Sequence, residues 1–270
     1  MLTFENQTYR YMKIKLFFIL AFLSFGTTFS QTILSPAEFL GYEIGSRFTR
    51  HHKVVDYFKY VSSTASNVKL EKYGETNEHR PLYVSYISSK ENIDNLDAIR
   101  KDNLSQTGIV NGSKINDKAI VWLSYNVHGN EASSTEAAML TLYELITNKK
   151  DWLENTIVIM DPCINPDGRD RYVNWFNQVK STPYTVDQNA NEHVEPWPSG
   201  RPNHYLFDLN RDWAWATQVE SSQRIAIYNK WLPHIHVDFH EQGINNPYYF
   251  APAAEPFHEV ISDWQRYFQT

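Results

Sequence analysis

The chain has 270 residues, long for one domain and short for two against a usual ~150 residues per domain. It is 42% hydrophobic and 15% aromatic, which excludes a disordered chain, since such chains have too little apolar surface to offset ordering entropy. The balance of 25 basic and 31 acidic residues gives −6, so no broad nucleic-acid footprint is expected. The single cysteine, Cys163, excludes an internal disulfide and any Cys-x-x-Cys metal knuckle.

At the amino terminus Lys13 and Lys15 precede the apolar run Leu16–Phe25. A membrane-spanning helix needs ~20 apolar residues, and this run is half that. A basic start, a short apolar middle and the small-residue site Thr28-Phe29-Ser30 read as a secretory signal over residues 1–30, with Met12 as the expected natural start. The mature chain, 31–270, is then secreted or periplasmic, with no stable membrane span after signal cleavage and a thiol that is inert or buried.

Ser35-Pro36-Ala37-Glu38 reads as a capping box opening a helix with proline at its first position. A second helix is expected at about 51–64. Strands are expected at Arg80–Ser88, Ala119–Val127, Thr156–Met160 and His234–Phe239, with a further short one at Pro247–Ala251. Ser133 and Glu136 form a second capping box. The helix they open places Ala138, Met139, Leu142, Leu145 and Ile146 on one face. Residues 162–210 read as loop, and Thr217–Leu232 as helix. Strands alternating with helices predict an α/β fold, three layers around a mixed, largely parallel sheet.

Polar clusters follow three of these strands: His128-Gly129-Asn130-Glu131, Asn165-Pro166-Asp167-Gly168 and His240-Glu241-Gln242-Gly243. Ligands of open α/β sheets bind at the carboxyl ends of strands, so the three clusters are expected to share one crevice. His128 and Glu131 have the spacing to aim a nitrogen and an oxygen at one point, and two His plus one Glu is an established catalytic zinc set. His240 is the expected third ligand. A rival set is His234, His236 and His240, which share one strand face. It is disfavoured because His234 lies ~20 Å back along the strand at 3.3 Å per residue. Asp238 is read as a supporting group and His236 as a satisfied interior histidine. Asp208-Leu209-Asn210-Arg211 offers a planar guanidinium and an amide suited to a carboxylate.

Taken together, His128-Gly-Asn-Glu131, Asn165-Pro-Asp-Gly168, Asp208-Leu-Asn-Arg211 and His240 resemble, in order, the motifs of the zinc carboxypeptidases, the M14 metallopeptidases. Glu71-Lys-Tyr-Gly74, Arg80-Pro-Leu82 and Pro247-Tyr248 add to the likeness, which spans roughly 70–250. The resemblance implies Zn2+ held by His128, Glu131 and His240. It implies that Asn210 and Arg211 bind a peptide's terminal carboxylate, and that Asp208 accepts a hydrogen bond from the non-ligating nitrogen of His128. Arg169 or Arg171 is the implied oxyanion group. The family's general-base glutamate finds no match after His240, so no catalytic base is identified. The expectation is therefore a carboxypeptidase-like domain truncated at its carboxy-terminal end, with apolar sheet or helix surface left exposed. The implied function is an exported metallocarboxypeptidase acting on peptides with a free carboxylate. The alternatives are a peptidoglycan stem-peptide amidase of the same fold and a catalytically weak zinc- and carboxylate-binding module.

Overall fold

The computed structural model describes residues 32–112, 117–243, 245–246 and 258–269. The signal segment, Pro247–Ala251 and Pro247-Tyr248 lie outside the described residues. The chain divides into Met1–Leu34 and Ser35–Thr270, and the fold described here belongs to the second.

In chain order the elements are α1 (Pro36–Leu40), α2 (His51–Thr64), β1 (Val68–Glu75), β2 (Pro81–Ile87), α3 (Lys90–Asp94), α4 (Leu96–Gln106), β3 (Ala119–Tyr125), α5 (Ser133–Thr147), β4 (Thr156–Asp161), α6 (Pro166–Val179), α7 (Val219–Trp231), β5 (Ile235–Phe239) and α8 (Asp263–Gln269). The sheet order is β1-β2-β4-β3-β5. The pairs β1–β2 and β2–β4 are antiparallel, while β3–β4 and β3–β5 are parallel. The sheet is thus mixed as expected, and the parallel half carries the polar clusters.

Alternation along the strands builds two cores. Val84, Tyr86, Ile120, Trp122, Ile157 and Ile159 pack against Leu96 of α4 and Ile227 and Trp231 of α7. Their neighbours Ile87, Val158 and Met160, also buried, belong to the opposite face, where α2 and α5 pack on each other and α5 meets β2 and β3. Five of the buried α5 residues are those expected from its periodicity. Among the described residues β5 is a sheet edge, with Ile235 55% and Val237 37% exposed. Cys163 is buried, and burial pushes its thiol up to about 12. No described helix is long and apolar enough to cross a membrane.

Two expectations are corrected. The stretch 162–210 is not all loop, because Pro166–Val179 is a helix of 14 residues. The Asn165 side chain accepts the Gly168 N–H and Pro166 occupies the first turn, so residues that punctuate loops here cap a helix. The Ser133–Glu136 capping box does not form. Ala132 is the N-cap, and Glu136 turns inward to Arg169 Nη2 at 2.6 Å and Thr49 Oγ1 at 2.7 Å. A buried guanidinium needs that carboxylate more than an exposed helix end does. The capping of α5 passes instead to Glu241, whose Oε1 accepts the Ser133 N–H at 2.8 Å and its hydroxyl at 2.6 Å.

Candidate metal centre

Parallel strands β3 and β5 end side by side, Tyr125 opposite Phe239, and the two rings stack at 4.3 Å. That register brings the residues just beyond each strand together. The His128 and His240 ring centroids are 5.0 Å apart. His128 Nδ1 lies 2.9 Å from Glu131 Oε1, and His240 Nδ1 lies 3.1 Å from Glu131 Oε2. One donor atom from each of the three residues falls within 4.8 Å of the others.

The outer nitrogens are also held. His128 Nε2 is 3.0 Å from Asp208 Oδ1, and His240 Nε2 is 3.0 Å from Asp238 Oδ2. Each ring thus lies between two carboxylates, and a metal taking Nδ1 would leave the proton on Nε2, facing Asp208 or Asp238. Burial alone would raise the Glu131 carboxyl, but the bond from His128 and the Glu241 N–H bring it below its ordinary value. Asp208 is also lowered: the Asn210 N–H, His128 and Arg201 outweigh its burial.

The rival histidines do not join this set. His234 Nδ1 accepts the Ile120 N–H at 3.0 Å. His236 Nε2 is 2.9 Å from Ser124 Oγ, and its ring packs on Trp213 and Tyr228. His236 is thus satisfied as expected, though half-buried rather than interior, and its burial lowers its pKa.

Asp208 caps a single 3-10 turn, Leu209–Arg211, by accepting the Asn210 N–H at 2.9 Å. Asn210 is half-buried beside it. Arg211 is exposed, and its Nη1 donates to the Asn210 carbonyl at 3.1 Å.

Neither expected oxyanion arginine is available. Arg169 has no exposed surface. It donates to Thr49 O, Ala132 O, Asn126 Oδ1 and Glu136. Arg171 holds the carbonyls of Ser199, Pro202 and Asn203.

The arginine at the site is Arg201, which the sequence reading passed over. Its Nε and Nη2 donate to Asp208 Oδ2 at 3.2 and 3.1 Å, and Nη1 lies 3.5 Å from Glu131 Oε1. The available signal was simple: it is the third and last arginine between Asn165 and Asp208. Its loop is located by a backbone contact. A Cβ on Gly129 would come within 2.4 Å of Gly168 C and Gly200 O, so the loop bearing His128, the start of α6 and the loop bearing Arg201 meet main chain to main chain.

An α/β sheet whose strand ends gather two histidines and a glutamate carries a candidate metal centre. The family model described as zinc carboxypeptidase matches residues 54–231, and the chain belongs to that family. The matched span includes His128, Glu131 and Asp208–Arg211, while His240 lies beyond it.

Carboxypeptidase 2 of Trichophyton rubrum is 28% identical over 128 residues, 46% of this chain and 19% of that protein. A probable carboxypeptidase 2 of Arthroderma benhamiae is 27% identical over 128 residues, with the same coverage of 46% and 19%. The match thus spans about a fifth of these relatives' length. The crystal structure of carboxypeptidase A from Helicoverpa armigera superimposes with a TM-score of 0.51 at 17% identity, covering 79% of this chain and 50% of that one. It is a likeness of fold.

Proposed function

We propose that the protein is an exported zinc metallocarboxypeptidase that removes residues from the free carboxyl end of peptides, with zinc held by His128, Glu131 and His240. The observation that carries this reading is the convergence of one donor atom from each of these residues within 4.8 Å. The donor set fits the metal. Two imidazoles and a carboxylate are a catalytic zinc set, and each histidine's second nitrogen rests on a carboxylate, as ligating histidines require. The basic and apolar pattern of residues 13–30 supports export.

When bound, zinc supplies Lewis acidity, polarising a carbonyl oxygen and making water a nucleophile near neutral pH. The chain's own residues do the rest. Asp208 and Asp238 keep the histidine protons on Nε2. Arg211, exposed beside Asn210, takes the terminal carboxylate and so sets cleavage at the chain end. Arg201 Nη1, only loosely placed against Glu131, is the donor for negative charge developing on the carbonyl oxygen.

The test is zinc content of the purified chain with affinity for a peptide as free acid and as amide. One zinc per chain is expected, with the acid binding more tightly. Arg211→Ala should weaken the acid by roughly 1.5–3 kcal/mol, a charge-assisted pair, and leave the amide unchanged. A chain that takes up no zinc, or that binds acid and amide alike, overturns the proposal.

A further inference from the structure

A cavity of about 610 Å³ adjoins the metal centre, within the ~300–1,000 Å³ range of ligand clefts. Two of its wall residues are immediate neighbours of metal-site residues: Asn130 precedes Glu131, and Glu241 follows His240.

One side of the cavity is aromatic. Tyr172, Trp175 and Phe176 share a face of α6 by their spacing, and Phe48 packs on Phe176 at 5.0 Å and on Tyr172 at 5.5 Å between ring centroids. Carboxylates gather at the metal end. Glu195 accepts Asn130 Nδ2 at 2.8 Å and the Gly200 N–H. Glu241 Oε1 accepts from Ser133, and among the described residues no protein donor engages its Oε2. Burial, then the charges of Glu195 and Glu241, push the Tyr172 hydroxyl up to about 12.

The positive residues of the wall are tied to other partners. Arg47 stacks on Tyr42 at 4.7 Å, and His193 Nε2 is held at the Thr185 carbonyl at 2.9 Å. A third wall carboxylate, Glu192, is buried against the Ser181 and Thr185 N–H groups, so the cavity presents aromatic faces and the carboxylates of Glu195 and Glu241 to its occupant. An apolar side chain would strip water from Glu241 Oε2 and leave it without a donor, which costs free energy. A cation on an aliphatic stem satisfies both parts.

We propose that this cavity is a specificity subsite for a lysine or arginine side chain of the peptide, on the amino-terminal side of the scissile bond. The stem lies on the Tyr172–Trp175–Phe176 face, and the cation lies between Glu195 and Glu241. The side is set by geometry. The Asp208–Arg211 turn approaches His128 from Nε2, whereas Glu131, flanked by Asn130 and the Glu241 N–H, faces Nδ1. A peptide whose terminal carboxylate sits at Arg211 runs its preceding residues toward the cavity. The inference rests on the carboxypeptidase reading, and the experiment separates the two.

Zinc-loaded protein is titrated calorimetrically with alanine-based peptides whose scissile bond is reduced to prevent turnover. Lysine, norleucine or glutamate is placed in turn at the three positions before that bond, and each peptide is made as free acid and as amide. At one position lysine should bind about tenfold more tightly than norleucine, and glutamate more weakly than either. Glu241→Gln and Glu195→Gln should each reduce the lysine preference, weakening the lysine peptide and not the norleucine one. Trp175→Ala should weaken lysine and norleucine peptides alike. If acid still exceeds amide but lysine, norleucine and glutamate are equal at every position, or norleucine binds best, the subsite is overturned and the carboxypeptidase reading stands. Equal affinity for acid and amide overturns that reading itself.

Discussion

Asp208 Oδ1 lies 3.0 Å from His128 Nε2. The same oxygen accepts the Asn210 N–H, so one carboxylate orients a proposed metal ligand and shapes the turn that presents Arg211. Asp208→Asn should lower zinc affinity ~10–100-fold, the usual cost of removing a carboxylate behind a ligating histidine. It should also weaken binding of a peptide free acid. Competition with a chromophoric chelator measures the first effect, and unchanged zinc affinity would show that Asp208 does not orient the ring.

Arg169 should matter for stability rather than for catalysis. Its guanidinium is sealed between Thr49, Ala132, Asn126 and Glu136. Arg169→Met leaves the Glu136 carboxylate buried without its cation, a loss of ~3–5 kcal/mol. Urea denaturation checks this. A variant as stable as the parent but defective in turnover would return Arg169 to the oxyanion role.

The pH dependence of stability should carry the mark of Asp161. Burial raises its carboxyl from 3.8 to about 7, with Tyr73 donating to Oδ2 at 2.8 Å and Oδ1 without a partner among the described residues. Between these values the folded state holds a proton that the unfolded state releases, so this group's contribution falls as pH rises from 3.8 to about 7. Asp161→Asn should match the parent near the acid end and exceed it by roughly 4 kcal/mol above the folded pKa. Burial lowers His51 from 6.5 to about 4, so its contribution declines in the opposite direction, as pH falls through that window. The variant should expose this acid-side decline. Denaturation midpoints at several pH values test both points, and parallel curves for parent and variant would refute the assignment to Asp161.

Zinc removal should lower the melting temperature without unfolding the chain. The three proposed ligands sit at strand ends, and none belongs to the apolar cluster under α4 and α7. At a zinc concentration ~1,000-fold above Kd, linkage predicts ~4 kcal/mol of stabilisation. Chelation followed by circular dichroism should show a retained cooperative transition at lower temperature. Collapse of secondary structure on chelation would make the metal structural.

Much of this arrangement was legible in the sequence because ligand-type residues directly follow apolar strand runs. The runs Ala119–Tyr125 and Ile235–Phe239 announce their strands, and the histidines lie just past their ends. β1 escaped notice for the opposite reason. It is an edge strand in which Val68 is the sole fully buried residue, and its charged side chains mask its alternation. α6 was hidden because Asn165, Pro166 and Gly168 have loop composition, while a helix cap requires the same residue types. Glu136 and Arg201 were hidden because their partners, Arg169 and Asp208, come from other elements. Periodicity reports which side of an element faces inward, not which distant charge waits there.

The meeting of Gly129, Gly168 and Gly200 has a consequence for how this site can change over time. Main-chain atoms set the closest approach of the loop of His128 and the loop of Arg201, and Asn165 and Arg171 hold the second loop by its carbonyls. The segment between α6 and Gly200 can therefore lengthen, shorten or change composition, altering the shape of the cavity it borders, while Arg201 returns to the same place beside Glu131. The cavity wall and the proposed metal ligands are in this way mechanically decoupled. A change of length in that loop ends at Gly200, where a contact too close for even a methyl group keeps it from reaching the proposed metal centre.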